Sequence, residues 1–260
     1  MAIFHYSAQV ISRSEGRSAV AAAAYRAGAE LHDERTGLTH DYTKKEGVIH
    51  SEILAPLNAP DWVFDRELLW NKVGATEKRK DSQLAHEINV ALPTELSEKQ
   101  RIDLLREFIQ VEFVSQGMVV DYAIHGDNPK NPHAHIMTTT RPLEGDDFGK
   151  KPKAEEFLKR KDVLNRRRER WADHTNAALE NAGCENRIDH RSFEDLGIDD
   201  QLPQIHLGPA VAAMKKRGLQ TERGDLYDLI EAQNELRAIK AAVADLDREI
   251  ALAIAAEGSA

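Results

Sequence analysis

A chain of 260 residues is long enough to bury a substantial core, and a net charge of −9, from 44 acidic and 35 basic residues, excludes a uniformly basic nucleic-acid-coating protein. The one cysteine, Cys184, excludes an internal disulfide and thiolate zinc clusters and fits a reducing compartment. No apolar run is long enough to cross a bilayer and no signal-peptide pattern opens the chain, so a soluble cytoplasmic protein is expected.

From the N-terminus, AIFHYSAQVIS alternates Phe4, Tyr6, Ala8 and Val10 against His5, Ser7 and Gln9, the period of a half-buried strand. SAVAAAAYRAGAEL then predicts a helix with Ser18 as its N-cap. HDERTGLTHDYTKKEGVIHSEILAP sets a Thr-Gly turn between two short alternating stretches, a hairpin pattern. Apolar residues at helical spacing after Asp61 predict a second helix that turns Trp62 and Trp70 to the core. QLAHEINVALP is a strand with Ile88, Val90 and Leu92 inward and Glu87 and Asn89 on the other side. TELSEKQRIDLLREFIQVEFVSQG is a helix capped near Ser97 and ended by Gly117. The expected architecture is α/β: one sheet, helices under one face, polar groups on the open face.

The next segment, DYAIHGDNPKNPHAHIMTTTR, carries the chemistry. Before the turn, Val120, Tyr122 and Ile124 share one face while Asp121, Ala123 and His125 share the other. After it, His133 and His135 lie on one side, because a strand lifts residues i and i+2 to the same surface about 7 Å apart. GDNPKNP is rich in turn residues, so the two strands should pair antiparallel and bring three imidazoles together. Three imidazoles without a thiolate suit Zn, Mn, Co or Ni and leave coordination positions open for water or substrate. Asp121 and Glu87 are candidates to support the imidazoles from behind.

Beyond the hairpin, residues 150–170 are densely basic, a stripe able to neutralise phosphates or simply a solvated helix face. Arg141, Arg166, Arg167, Arg168 and Arg191 are the candidate phosphate contacts, and Trp171, Phe193 and Tyr42 the candidate base-stacking partners. An irregular segment follows, then an acidic, Ala-rich helical stretch after Gly218 that runs through Leu252. Tyr25, beside Arg26 and among alanines, is a candidate nucleophile. A free tyrosine pKa of about 10 makes it a poor one without a metal or cation nearby, and from the residues alone a buried core tyrosine is the competing assignment.

AIFHYSAQVISRSEGRSAVAAAAYRAGAEL, HEINVALP, NPHAHIMTTTR, IDHRS and PQIHLGPA, in that order over roughly residues 1–217, resemble the MobA/MobL family of plasmid relaxases, including the relaxase portion of TraA-type conjugative proteins. The resemblance implies an HUH-endonuclease palm, a mainly antiparallel sheet with packed helices, over 1–217, and a helical extension over 218–260. It implies Tyr25 as nucleophile, His125, His133 and His135 as metal ligands, and cleavage of one strand at the nic site of an origin of transfer through a 5′-phosphotyrosine. Glu87 is then the auxiliary catalytic carboxylate, and Arg26, Arg141, Arg166, Arg167, Arg168 and Arg191 are the DNA-binding set. Mn2+ or Mg2+ is the expected ion, with Zn2+ as the alternative. Single-stranded origin DNA is the expected partner, together with relaxosome accessory proteins and a type IV secretion coupling protein, and passage to a recipient cell attached to DNA is implied. The competing assignments are a rolling-circle replication initiator of the same class and a non-catalytic nucleic-acid-binding protein with a structural metal.

Overall fold

The computed structural model describes residues 4–129, 131–152, 161–198, 202–203, 205 and 207–257. Two compact units are present, Met1–His190 and Arg191–Ala260.

The first unit is built on strands β1 (Tyr6–Ser12), β4 (Val48–Leu54), β5 (Gln83–Ala91), β6 (Val120–His125) and β7 (His133–Thr139), in the order β1-β5-β7-β6-β4, with every neighbouring pair antiparallel. Hairpin β2 (Glu30–Asp33) and β3 (Leu38–Asp41) turns at the Thr-Gly pair, where Gly37 adopts a left-handed φ of 69°. A small ribbon, β8 (Leu143–Glu144) and β9 (Asp147–Phe148), follows the sheet.

Helix α1 (Ala19–Ala27) starts where Ser18 accepts from the Ala21 amide. It stops earlier than its alanine content predicts, because Gly28 takes φ 64° and Glu30 is already in β2. Helix α2 (Arg66–Thr76) is capped by Asp65, and α3 (Glu98–Glu112) by a capping box between Ser97 and Gln100. Helix α4 (Lys161–Asn181) completes this unit.

The sheet is covered on both faces, not one. Alternation sends Ile88, Val90, Tyr122, Ile124, Ala134 and Ile136 to one face, where they pack with Leu104, Leu105, Phe108 and Ile109 of α3 and Trp171 and Leu179 of α4. The opposite face was expected to be open and polar. It carries Ile11, Ala85 and Met137 at one end, and these apolar side chains draw α1 and α2 down over it through Val20, Ala23, Ala24, Leu69, Trp70 and Val73. Only the other end of that face remains polar.

The second unit contains α5 (Pro209–Lys216) and the long α6 (Glu222–Glu257).

Candidate metal centre and tyrosine

Strand register assembles the polar end row by row. Ala91, His133 and His125 lie opposite one another across β5, β7 and β6, and the next row is Ser7, Asn89, His135 and Ala123. Gln9, Glu87, Met137 and Asp121 form the third. The three imidazoles therefore converge from two adjacent strands: ring centroids lie 5.4 Å apart for His125 and His133, 4.7 Å for His125 and His135, and 5.2 Å for His133 and His135. One ring nitrogen from each lies within 4.8 Å of the others, a group able to hold a metal ion.

Each imidazole is oriented by an acceptor on its far side. His125 Nε2 donates to the Arg26 carbonyl oxygen (2.7 Å), His133 Nδ1 to the Asn131 carbonyl oxygen (3.0 Å), and His135 Nδ1 to Glu87 Oε1 (3.1 Å). A carbonyl or carboxylate oxygen cannot donate, so these contacts fix the tautomers and leave Nδ1 of His125 and Nε2 of His133 and His135 as lone-pair nitrogens. Burial pushes His125 down to about 4, with the neighbouring His135, Lys45 and His133 adding to the effect, and burial lowers His135 as well. Both depressed histidines keep a lone pair for a divalent ion, with their outer nitrogens committed to hydrogen bonds. Asn89 Oδ1, beside His135, is buried without a hydrogen-bond partner among the described residues, a further polar group of the same face.

Glu87 is 1% exposed and is the anchor of the arrangement. Besides His135 it accepts from Arg26 through Nε (2.7 Å) and a second, closer contact from Nη2, from Gln9 Nε2 (2.6 Å) and from Arg17 (3.5 Å). Burial alone would raise its pKa; the His135 hydrogen bond and the Arg26 charge overcome that and hold it at about 2. Glu87 therefore stays ionised beneath His135, where it orients the imidazole and raises its basicity.

Tyr25 is 46% exposed, which removes the core-tyrosine assignment. It sits on α1 next to Arg26, whose carbonyl holds His125 and whose guanidinium holds Glu87. Its ring meets Tyr42 edge-on at 5.3 Å, and Lys45 Nζ lies 4.2 Å above it. The same Nζ is 3.3 Å from His125 Nδ1, so one ammonium bridges the tyrosine and the histidine cluster. Burial lowers the Lys45 pKa. Periodicity did not single out Lys45, because it lies in the loop before β4; Gln9 meets Glu87 only through β1–β5 register, and Arg17 reaches it from the turn ahead of α1.

Several other candidates are committed elsewhere. Asp121 shares the His125 face but accepts from Arg66 (2.9 Å, twice) and Trp70 Nε1 (2.9 Å) under α2, so it does not back an imidazole. Arg26 serves Glu87 and is mostly buried. Arg141 donates to Glu77 (2.8 Å) and to the Gly149 carbonyl (3.1 Å). Arg167 is 4% exposed and packs over Phe113, and Trp171 is fully buried against Phe108. Both lie on α4, which packs on the sheet face opposite the histidines. Arg168 covers Phe4 and donates to the His190 carbonyl (3.3 Å), while Arg166 is exposed. Arg191 is exposed and Phe193 half-buried in the second unit. Residues 153–160 of the basic run lie outside the described residues.

An antiparallel five-stranded sheet with three convergent imidazoles and an exposed tyrosine beside them defines a class, and the chain belongs to the MobA/MobL family, whose profile matches residues 17–217. It is 39% identical over 274 residues to the conjugal transfer protein TraA of Agrobacterium fabrum, a match covering 92% of this chain and 25% of TraA. It is 41% identical over 248 residues to the mobilization protein MobL of Acidithiobacillus ferridurans, covering 84% of this chain and 65% of MobL. A solved structure described as "Molecular Basis of Vancomycin Resistance Transfer in Staphylococcus aureus" is similar at a TM-score of 0.68 and 37% identity, covering 74% of this chain and all of that one. The chain spans about a quarter of the length of the TraA relative. No helix among the described residues is long and apolar enough to cross a membrane.

Proposed function

We infer that this chain is a DNA relaxase of the HUH class that nicks one strand at the nic site of an origin of transfer and later rejoins it. We assign the relaxase domain to 1–217 and a helical extension to 218–260; a family match over residues 17–217 supports that end. The observation that carries this reading is the exposed Tyr25 linked, through the Arg26 carbonyl and the Lys45 ammonium, to the cluster of three imidazoles.

The Tyr25 oxygen attacks the scissile phosphorus, forming a tyrosyl–phosphate bond as the bond to the departing 3′ oxygen breaks; the phenolic proton is lost and the 3′ oxygen gains one. A 5′-phosphotyrosine and a free 3′-OH result. His125, His133 and His135 would hold a divalent ion, Mn2+ or Mg2+ with Zn2+ as the alternative, and such an ion would supply positive charge for a phosphate at the site. Glu87 and the carbonyls of Arg26 and Asn131 keep the imidazoles in place, and Lys45 adds a cation between Tyr25 and His125. Exposed Arg166 is a candidate contact to a flanking phosphate. The setting is the cytoplasm, where origin DNA, accessory proteins and a secretion coupling protein are to be met.

A denaturing gel of the chain with a labelled single-stranded origin oligonucleotide tests the assignment. Wild type should form a protein–DNA adduct and Tyr25→Phe none, with a rate loss on the order of a thousandfold or more. An adduct in Tyr25→Phe assigns the nucleophile elsewhere, and its absence in wild type with a cleaved strand favours metal-assisted hydrolysis.

A further inference from the structure

The relaxase assignment leaves α6 unused. Its 36 residues make a rod about 54 Å long. Along it, Leu229, Leu236, Val243 and Ile250 recur every seven residues, and Ala232, Ile239 and Leu246 fall three residues after the first three of them. These are the a and d positions of a heptad repeat sustained for three heptads. Leu229, Leu236, Ile239, Val243, Leu246 and Ile250 are each 51–56% exposed, whereas a helix packed within its own fold buries its apolar stripe. Inside its own unit α6 buries Ile230, exchanges two hydrogen bonds between Asn234 and the Leu202 backbone (2.9 and 2.8 Å), and pairs Asp228 with Lys215 at the N-terminal edge of the stripe, leaving the stripe beyond it uncovered.

We propose that α6 is a dimerisation element, pairing in parallel with α6 of a second copy of this chain through the Leu229–Ile250 stripe. Charge selects the occupant and its direction. In a parallel pair a g residue faces the e residue five positions on in the other copy, so Glu235 meets the partner's Lys240, twice by symmetry. An antiparallel pair would set g against g, where Glu235 and Glu249 are acidic, Ala242 is neutral and Asp228 is already paired with Lys215, so no g residue there offers a free opposite charge. Val243 and Ile250 at a with Leu246 at d favour two strands in the C-terminal half of the stripe, whereas Leu236 at a with Ile239 at d is the pairing of larger bundles, so a mass of three or four chains would also overturn the dimer. Each dimer carries two copies of the histidine site.

Light scattering and sedimentation equilibrium of the full chain should give twice 29.1 kDa. Ile239→Glu with Leu246→Glu, on exposed positions that do not stabilise the monomer, should return the mass to 29.1 kDa with an unchanged helical circular-dichroism signal. Glu235→Lys or Lys240→Glu alone should weaken dimerisation about tenfold or more, and mixing the two variants should restore it, because each supplies what the other lacks. A wild type that stays monomeric at every concentration, or a dimer that survives the double Glu substitution, overturns the proposal. So does a failure of mixing to restore pairing. None of these outcomes depends on DNA cleavage, so the relaxase reading stands or falls separately.

Discussion

At the Ile11–Ala85–Met137 end, one face of the sheet is sealed by α1 and α2, whereas two to four residues further along the same strands the His125–His133–His135 end lies open to a ligand. Both ends use the same backbone and the same alternation. The sealed end gains stability from apolar area removed from water. The open end holds instead a buried carboxylate and depressed histidines, groups that cost free energy to bury and are kept in order by hydrogen bonds. Stability and chemistry should therefore respond to different substitutions.

The largest expected effect is at the sealed end. Trp70→Ala empties a fully buried site and frees Asp121 from one of its donors, and should cost about 3–5 kcal/mol by denaturant unfolding. His133→Ala at the open end should change stability by only about 0.5 kcal/mol while abolishing tight Mn2+ binding in calorimetry. Equal losses of stability in both would erase the distinction.

Next comes pH. His125 is held at about 4 against an ordinary 6.5, so the unfolded chain takes up a proton that the folded chain refuses. The stability this represents is complete above pH 6.5 and lost as pH falls toward 4; Glu87, held at about 2 against 4.5, continues the loss from pH 4.5 downward. The metal-free protein should thus destabilise steadily on acidification, and His125→Asn should flatten the upper part of that profile.

Glu87→Gln tests the anchor. It keeps the shape but removes the charge facing Arg26 and His135, and should weaken metal affinity about 10–100-fold. Unchanged affinity would confine Glu87 to a structural pairing with Arg26. The smallest effect separates two adjacent arginines. Arg167→Ala should lower stability by about 1–2 kcal/mol and leave the salt dependence of DNA binding alone, while Arg166→Ala should do the reverse.

That pair also shows what local sequence conveys. The sheet strands, the Ser18 and Ser97 caps and the histidine hairpin were legible because period-two alternation and turn residues determine register, and register alone brings His125 opposite His133. Which arginine is buried is a tertiary matter: Arg166, Arg167 and Arg168 look alike in a basic run, and only the packing of α4 on Phe113 and Phe4 tells them apart. The same holds for Trp171, fully inside, and for Arg141, claimed by Glu77. The closing of half the polar face by α1 and α2 depended on Ile11, Ala85 and Met137, residues from three strands that become neighbours only in the sheet.

Strand joining tests the tyrosine mechanism most directly. Isolated wild-type adduct is mixed with a second oligonucleotide ending in the matching 3′-OH. A phosphotyrosine keeps the free energy of the phosphodiester it replaced, so the account predicts a joined strand and release of free protein without any added nucleotide triphosphate. Release of only a 5′-phosphorylated strand, made by water, would contradict it.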